Sequence, residues 1–251
     1  MEGRNRVDGE PAIELRNVTK DYLTTRALND VCLTVNQGEI FGYVGANGAG
    51  KTTTIKILAG LIRPTAGEAF VCGHSILSQP LEVKARIGYV PESGAIFDKL
   101  SPREYLTVVG HLYKLAALRT QDRIEEWLDF FGLMDRIDQR MEIFSKGTKQ
   151  KVCWIAALLH DPEVLILDEP LSGLDVETIS RVKDLMKRFT AEGKTIFYSS
   201  HLIDVVEKVC TRIAVLHRGR LIGAGSIDEV RVLSGAPTLE EALMKLWQEQ
   251  G

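Results

Sequence analysis

The chain has 251 residues, 45% hydrophobic and 26% charged, and its 31 basic and 34 acidic side chains leave a net charge of -3 at pH 7. That length can bury a substantial core, and the near balance of charge excludes a bulk attraction to nucleic acid or anionic lipid. No apolar stretch approaches the roughly 20 residues that span a bilayer, and residues 1–15 lack the apolar core of a secretory signal. We therefore expect a cytosolic globular protein.

Short apolar runs typical of β-strands alternate with helical patterns along most of the chain. The predicted strands are AIELRNVT, EIFGYVG, EAFVCG, RIGYV, EVLILDE, KTIFYSS and RIAVLHRG. Several are continuously apolar, as expected for strands covered on both faces, and their alternation with helices predicts an α/β fold around a largely parallel sheet. From about Ser101 to His160 the pattern is almost wholly helical, which predicts a helical subdomain inserted into that core.

The last helical pattern, TLEEALMKLWQ, begins with a capping box formed by Thr238 and Glu241. Its apolar residues form one stripe, made of Leu239, Ala242, Leu243, Leu246 and Trp247. We interpret it as a helix docked on its own domain, with a partner-binding surface as the alternative.

The four cysteines, Cys32, Cys72, Cys153 and Cys210, lie far apart in sequence and form no C-x-x-C pair. This spacing is not typical of a zinc site or a disulfide framework. We predict buried free thiols in a reducing compartment.

Residues 45–52 carry the pattern G-x-x-x-x-G-K-[ST], with an apolar strand before it and a helix after it. Gly45, Gly48 and Gly50 lack Cβ atoms, so backbone N–H groups can turn inward around phosphate oxygens. The start of the following helix adds its positive end. Lys51 is placed to neutralise the β- and γ-phosphates of a nucleotide, and the Thr52 hydroxyl to bind Mg²⁺. A glycine-rich turn with a solvated lysine is the alternative interpretation.

Two further strands bring polar groups to the same edge of the sheet. EVLILDE ends in Asp168, expected in the Mg²⁺ shell, and Glu169, placed to activate an attacking water as general base. KTIFYSSH ends at His201, whose imidazole can hydrogen-bond the γ-phosphate. The alternative interpretation is that the two acids are solvated at an ordinary strand end and that the histidine is structural. The phosphate loop predicted at the same edge of the sheet favours the catalytic interpretation.

Six elements in this order resemble the ATPase subunit of an ATP-binding cassette (ABC) protein, from about residue 12 to residue 228. They are Tyr22, GANGAGKTT, GYVPE, FSKGTKQK, VLILDEP with LSGLD, and YSSH. The resemblance implies a P-loop NTPase core with an inserted α-helical subdomain and an N-terminal antiparallel β region. The nucleotide-binding domain would span 11–228, with the helical insert at about 93–160, and 229–251 would carry the amphipathic helix.

The resemblance also implies a set of binding residues for the cofactors ATP and Mg²⁺. Tyr22 matches the aromatic residue that stacks on adenine. The phosphate-binding residues are Gly45, Ala46, Asn47, Gly48, Ala49, Gly50, Lys51, Thr52 and Thr53, and the Mg²⁺ ligands are Thr52, Glu92 and Asp168. Glu92 is a departure, because many members have glutamine at this position.

FSKGTKQ stands where the family has its signature segment, and two copies of the family's subunit dimerise head to tail. Ser145 and Gly147 of one copy are thereby expected to face the γ-phosphate held by the other copy, at the positive end of a helix. Residues 171–175, LSGLD, are expected to meet their twin across that interface. Lys146 and Thr148 depart from the usual glycine and glutamine, and the sequence gives no reason for Thr148.

These expectations combine into an ATP-hydrolysing motor subunit of an ABC transporter, acting as a homodimer or heterodimer on a separate membrane permease. The segment from Glu92 to about Tyr105 and the helical insert would push on that permease from the cytoplasmic face of the membrane, and no nucleic-acid partner is expected. The PE and TLEE segments resemble those of drug- and polysaccharide-export members, which favours export. The alternatives are a soluble ABC-type ATPase acting on ribosomes, DNA or protein assemblies, and a regulatory cassette that binds ATP without hydrolysing it.

Overall fold

The computed structural model describes residues 10–92 and 97–248. The strands are β1 (Ile13–Tyr22), β2 (Thr25–Val35), β3 (Ile40–Gly45), β4 (Ala66–Val71), β5 (His74–Ser75), β6 (Ile87–Val90), β7 (Val164–Asp168), β8 (Thr195–Ser199), β9 (Arg212–His217) and β10 (Arg220–Ser226). The helices are α1 (Lys51–Leu58), α2 (Pro80–Arg86), α3 (Pro102–Leu112), α4 (Ala117–Phe130), α5 (Lys146–Leu158), α6 (Val176–Ala191), α7 (Ile203–Val209), α8 (Ile227–Ser234) and α9 (Leu239–Gln248).

The larger sheet has six strands in the order β10-β9-β3-β8-β7-β6, and all its pairings are parallel except that of β9 with β10. Every residue of β3, β7 and β8 is buried, because the sheet is covered on both faces. Asp168 pairs with Ser199, and Ser199 also pairs with Tyr43. The carboxyl ends of the three central strands therefore lie side by side, as the predicted α/β fold requires.

The smaller sheet, β2-β1-β4-β5, is antiparallel throughout and confirms the antiparallel region expected near the N-terminus. The sequence patterns predicted neither β2 nor β10. β2 has bulged pairing to β1 and carries Asp30 at a φ of 56°, so its apolar residues do not alternate regularly. β10 contains two glycines, and only one of its residues is buried.

The helical insert contains α3, α4 and α5, and it differs from the prediction between Phe131 and Ser145. There the chain forms two short 3-10 turns, Met134–Arg136 and Met141–Ile143, instead of continuous helix. The predicted start of the insert at about residue 93 lies outside the described residues, as do residues 249–251 of the C-terminal segment.

Two apolar clusters lie on opposite faces of the larger sheet. The cluster under the helical insert also contains Leu239, Ala242, Leu243 and Leu246 of α9, so this helix is docked on its own chain as predicted. The Thr238 hydroxyl accepts a hydrogen bond from the Glu241 N–H at 3.3 Å. None of the helices within residues 10–92 and 97–248 combines the length and apolar character needed to cross a membrane.

The cysteines follow the prediction only in part. Cys153 and Cys210 are buried, and burial raises the pKa of the Cys153 thiol to about 12. Cys32 is exposed instead, because β2 is an edge strand whose alternate residues face solvent.

Candidate nucleotide-binding site

The loop between β3 and α1 needs its glycines for two different reasons. Gly48 and Gly50 have φ values of 79° and 114°, in the left-handed region that glycine adopts without strain. Gly45 has no such φ, but a Cβ there would lie 2.5 Å from the Leu216 carbonyl oxygen of β9. The loop is thus both bent and pressed against the neighbouring strand.

The start of α1 is open to an anion. Gly50 is its N-cap, no side chain caps its first N–H groups, and its first turn holds no acidic residue. The Lys51 ammonium folds back over the loop and donates to the carbonyls of Gly45 at 2.6 Å and Ala46 at 3.2 Å. Burial lowers the pKa of Lys51, while the nearby Glu169 and Asp168 oppose this shift. A phosphate would replace the two carbonyls as the partner of this cation.

Asp168 ends β7 opposite the start of α1. Its Oδ1 accepts a hydrogen bond from the Thr52 hydroxyl at 3.5 Å. Burial raises the pKa of Asp168 above its ordinary value, the Thr52 hydrogen bond opposes this, and the charge of Glu92 adds to it. A divalent cation would offset the repulsion between these carboxylates, and oxygen donors of this kind suit Mg²⁺.

Within the described residues no group of three or more His, Cys, Asp and Glu side chains is placed to hold a metal ion. Mg²⁺ bound with a nucleotide uses only one or two carboxylates, together with phosphate oxygens and water. The residues fit that arrangement.

Glu169 follows Asp168 in a strained backbone conformation, with a φ of 46°. Its N–H donates to the Ser199 carbonyl at 3.1 Å, and its Oε2 accepts from the Ser200 hydroxyl at 3.3 Å. The same oxygen lies 2.9 Å from Nδ1 of His201. The Glu169 side chain is 12% exposed and that of His201 62%, so the carboxylate is fixed from the interior and the imidazole reaches into the cavity.

These groups surround one cavity of about 510 Å³. It is lined by Thr25, Arg26, Ala27, Asn47, Gly48, Gly50, Lys51, Thr52, Thr53, Glu92, Asp168, Glu169, His201 and Arg218. The structure thus brings together ten of the predicted site residues, from the phosphate loop, the end of β7 and the segments that follow β6, β7 and β8.

Four lining residues are not predicted by any sequence pattern: Thr25, Arg26, Ala27 and Arg218. The first three follow the β1–β2 turn, in a strand that the pattern did not predict. Arg218 lies in the β9–β10 turn with a φ of 45°, and the adjacent Gly219 N–H donates to the Ala49 carbonyl at 2.9 Å. No local motif marks these residues, because distant strands bring them to the loop.

Tyr22 does not line the cavity. It ends β1, is 48% exposed, and lies under the Lys20 ammonium, which is 5.3 Å from its ring centroid. The strand that follows it supplies Thr25 to the cavity, and the contact of Tyr22 with adenine stays a prediction.

Ser145 and Gly147 lie elsewhere, at the start of α5, and neither lines the cavity. The exposed Ser145 is the predicted N-cap, and its Oγ accepts from the Thr148 N–H at 3.2 Å. The Thr148 hydroxyl lies 2.8 Å from the same Oγ, which gives this departure from the family pattern a structural role. A Cβ on Gly147 would clash with the Gly173 carbonyl oxygen, so this glycine is required by packing within the chain.

The fold and the cavity define a P-loop nucleotide-binding protein. Residues 28–172 match the family model described as ABC transporter. An uncharacterised ABC transporter ATP-binding protein of Nostoc sp. is 42% identical over 206 residues, which are 81% of this chain and 61% of that protein. The chain therefore belongs to the ABC transporter family and resembles its ATP-binding proteins, although it spans less than two thirds of that relative.

One further relative and two solved structures support the same family assignment. The daunorubicin/doxorubicin resistance ATP-binding protein DrrA of Streptomyces peucetius is 34% identical over 91% of this chain and 69% of its own length. A structure described as the ATP binding subunit of an ABC transporter has a TM-score of 0.88 at 32% identity, covering 94% of this chain and 99% of that one. The ATP-binding cassette MJ0796, as a dimer in a post-hydrolysis state bound to ADP and Pi, has a TM-score of 0.78 at 25% identity, covering 85% and 98%.

Proposed function

We propose that this chain is the ATP-hydrolysing subunit of an ABC transporter and drives a separate membrane permease. The observation that carries the proposal is the arrangement of Lys51, Asp168, Glu169 and His201 around one cavity beside an uncapped helix start. Phosphoryl transfer needs positioning and charge stabilisation more than covalent chemistry, and these groups supply both.

In this proposal the phosphate loop and Lys51 hold the β- and γ-phosphates of ATP. Thr52, Asp168 and Glu92 hold Mg²⁺, which neutralises phosphate charge when it is bound. The proposal rests on the 3.5 Å approach of Thr52 to Asp168 and on the raised pKa of that buried carboxyl.

Glu169 accepts the proton of the water that attacks the γ-phosphate. Three contacts, from Ser199, Ser200 and His201, hold it, so little reorganisation is needed when the water reacts. His201 orients this carboxylate through Nδ1 and presents its exposed ring edge to a γ-phosphate oxygen.

The complete site requires a second ATPase subunit, either an identical or a different chain. Ser145 is exposed at the start of a helix without acidic residues in its first turn, yet it does not line the cavity of its own chain. Such a helix start binds anions, and a head-to-tail dimer would place it against the partner's γ-phosphate. The dimer named for the MJ0796 cassette supports this assembly.

A permease would dock beside β6 and α3. There Lys56, Leu61, Tyr89, Pro91, Tyr105, Cys153 and Ala156 line a groove of about 350 Å³. Leu61 is 56% exposed in this groove, and Phe97, which is 73% exposed, lies beside it with its ring centroid 6.4 Å from that of Tyr105, so apolar side chains both line and border the groove. The resistance named for DrrA supports export, with the chain attached to the inner face of the cell membrane.

The first test is Glu169→Gln, with the exposed Glu207→Gln on α7 as the matched control. We expect Glu169→Gln to lower the ATPase rate by about 10²–10⁴-fold, as for a lost general base, while nucleotide binding persists. Glu207→Gln is expected to keep the wild-type rate. A Glu169→Gln protein with wild-type turnover would contradict the catalytic assignment.

The second test is affinity purification of the tagged protein from detergent-solubilised membranes. A multi-span membrane protein in near-equal amount supports the transporter. Recovery with ribosomes, DNA or other soluble assemblies, and with no membrane protein, favours the soluble ATPase instead. ATP binding without turnover in the assembled complex would indicate the regulatory cassette.

A further inference from the structure

One buried side chain of α5 connects the two strand ends that carry acidic residues of the site. Gln150 is completely buried, and its Nε2 donates to the Pro91 carbonyl at 2.9 Å and lies 3.5 Å from the Pro170 carbonyl oxygen. Pro91 immediately precedes Glu92, and Pro170 immediately follows Glu169. The amide group therefore bridges the segments that place both glutamates in the cavity.

Both carbonyls lie beyond the ends of their strands. The last paired residue of β6 is Val90, and β7 ends at Asp168. Buried carbonyls that leave a sheet must find other donors, since an unpaired buried acceptor is costly. Carbonyl oxygens only accept, so the NH₂ side of the Gln150 amide has to face them.

The two contacts are not equivalent, because Pro170 has a second donor. Nε1 of the fully buried Trp154, one turn further along α5, donates to the Pro170 carbonyl at 3.1 Å. Among the described residues, only Gln150 has a side-chain hydrogen bond to Pro91. Loss of Gln150 thus releases the Glu92 segment more than the Glu169 segment.

We propose that Gln150 is a positioning residue that fixes Glu92 relative to Asp168 and Glu169, and thereby sets the affinity of the nucleotide site for Mg²⁺. This inference rests on the proposed function, in which Glu92 and Asp168 hold that ion. Outer-shell groups that orient ligands commonly change metal affinity by about 10–100-fold when removed.

The same helix also carries the surface proposed to meet the second subunit. Lys146 donates to the Ser172 hydroxyl at 3.0 Å, and Lys151 forms a 2.9 Å ion pair with Asp175. Together with the close packing of Gly147 on Gly173, these contacts join the start of α5 to residues 171–175. Gln150 thus links the segment of Glu92 to the helix that carries this surface.

The test compares Gln150→Met, which keeps the length of the side chain without its donor, with Trp154→Phe, which removes the other donor to Pro170. Binding of a fluorescent, non-hydrolysable ATP analogue to the full chain is measured as Mg²⁺ is titrated. We expect Gln150→Met to raise the Mg²⁺ concentration for half-maximal binding about tenfold. Trp154→Phe is expected to leave that concentration unchanged, and both variants are expected to bind the analogue without Mg²⁺ as the wild type does.

A double-mutant cycle separates positioning from general loosening of α5. If Gln150 acts through Glu92, Gln150→Met causes no further change in Mg²⁺ dependence in a Glu92→Ala background. Equal effects in both backgrounds, an unchanged Mg²⁺ dependence, or an equal shift in Trp154→Phe would each overturn the inference. If Gln150→Met does not fold, as judged by its thermal unfolding, Gln150→Asn enters the same cycle. A wild-type chain that binds no Mg²⁺–nucleotide would overturn the proposed function, and this inference with it.

Discussion

The starts of α1 and α5 are alike in charge but different in surroundings. Lys51 and Lys146 are the first residues of these helices, and neither first turn contains an acid. The start of α1 has no side-chain cap and opens into a cavity with Asp168, whereas that of α5 is capped by Ser145 and lies outside the cavity.

Other helix starts show what an ordinary structural cap requires. α3 and α8 begin with complete capping boxes, in which Glu104 and Glu229 bond back to the N-cap residue. A carboxylate there would repel a phosphate, so its absence permits anion binding. The absence of an acidic residue is not sufficient to identify an anion-binding helix start, since the first turn of α4 also contains no acidic residue. What distinguishes α1 and α5 is glycine where the backbone must approach another group closely.

Among the changes that test this comparison, the largest effect is expected from the lysines at the two helix starts. Lys51→Met removes the buried cation from the cavity, and we expect nucleotide affinity to fall about 10–100-fold, as for lost hydrogen bonds to a charged group. Lys146→Met is the matched control, because it changes the corresponding residue of α5 and should leave binding to the isolated chain intact. Calorimetry of both variants checks this, and equal losses would contradict the distinction.

Gly147→Ala tests the close contact between α5 and Gly173. The added Cβ clashes with a backbone carbonyl oxygen, so we expect about 1–3 kcal/mol of destabilisation and a displaced start of α5. Gly223→Ala is the control, because a Cβ there would make an ordinary 3.7 Å contact with Leu246. Denaturant unfolding of both variants measures their stability. Dimerisation is measured by light scattering with ATP, after each substitution is introduced into the Glu169→Gln protein. Unimpaired stability and dimerisation would refute the packing argument.

Ser145→Ala and Ser101→Ala distinguish a cap that serves a second subunit from a purely structural one. Each loses one N-cap hydrogen bond, worth about 1 kcal/mol of stability. In a Glu169→Gln background, we expect only Ser145→Ala to weaken ATP-dependent dimerisation as well. Dimerisation weakened equally by both variants would indicate a general loss of stability instead.

The smallest expected effect concerns Asp175, which caps α6 and pairs with Lys151. The Thr178 N–H, the Lys151 ammonium and the Thr178 hydroxyl all lower the pKa of this carboxyl in the folded state. A lowered pKa stabilises the fold above the unfolded pKa of about 3.9, and that contribution is lost as the pH falls below it.

Asp175→Asn keeps the capping oxygen and removes the charge. Because the side chain is 57% exposed, solvent screening limits the expected loss to under about 1 kcal/mol at pH 7. The difference from wild type should shrink as the pH is lowered through 4. Urea unfolding at several pH values measures it, and a difference that grows toward low pH would contradict the ion pair.

Local sequence was sufficient for the central strands and their acidic ends. Continuous apolar runs predicted β3, β7 and β8, and the position of Asp168 and Glu169 after β7 followed from that pattern. The sequence patterns do not predict β2 and β10, where bulges and glycines interrupt the alternation. They predict a helical insert that is too continuous, because residues 131–145 form short turns that hydrogen-bond to Leu100 and Arg103, which are distant in sequence.

The phosphate loop, the two acids, His201 and the cap at Ser145 could be predicted from the sequence, because each depends on residue types at fixed short spacing. Which of these groups share a cavity and which lie outside it depends on how the strands and helices pack. The same packing places Arg218 in the cavity, brings the Thr148 hydroxyl to Ser145, and brings Gln150 to Pro91 and Pro170. Those contacts depend on strand order and helix packing, which bring together residues far apart in the chain and leave no local pattern.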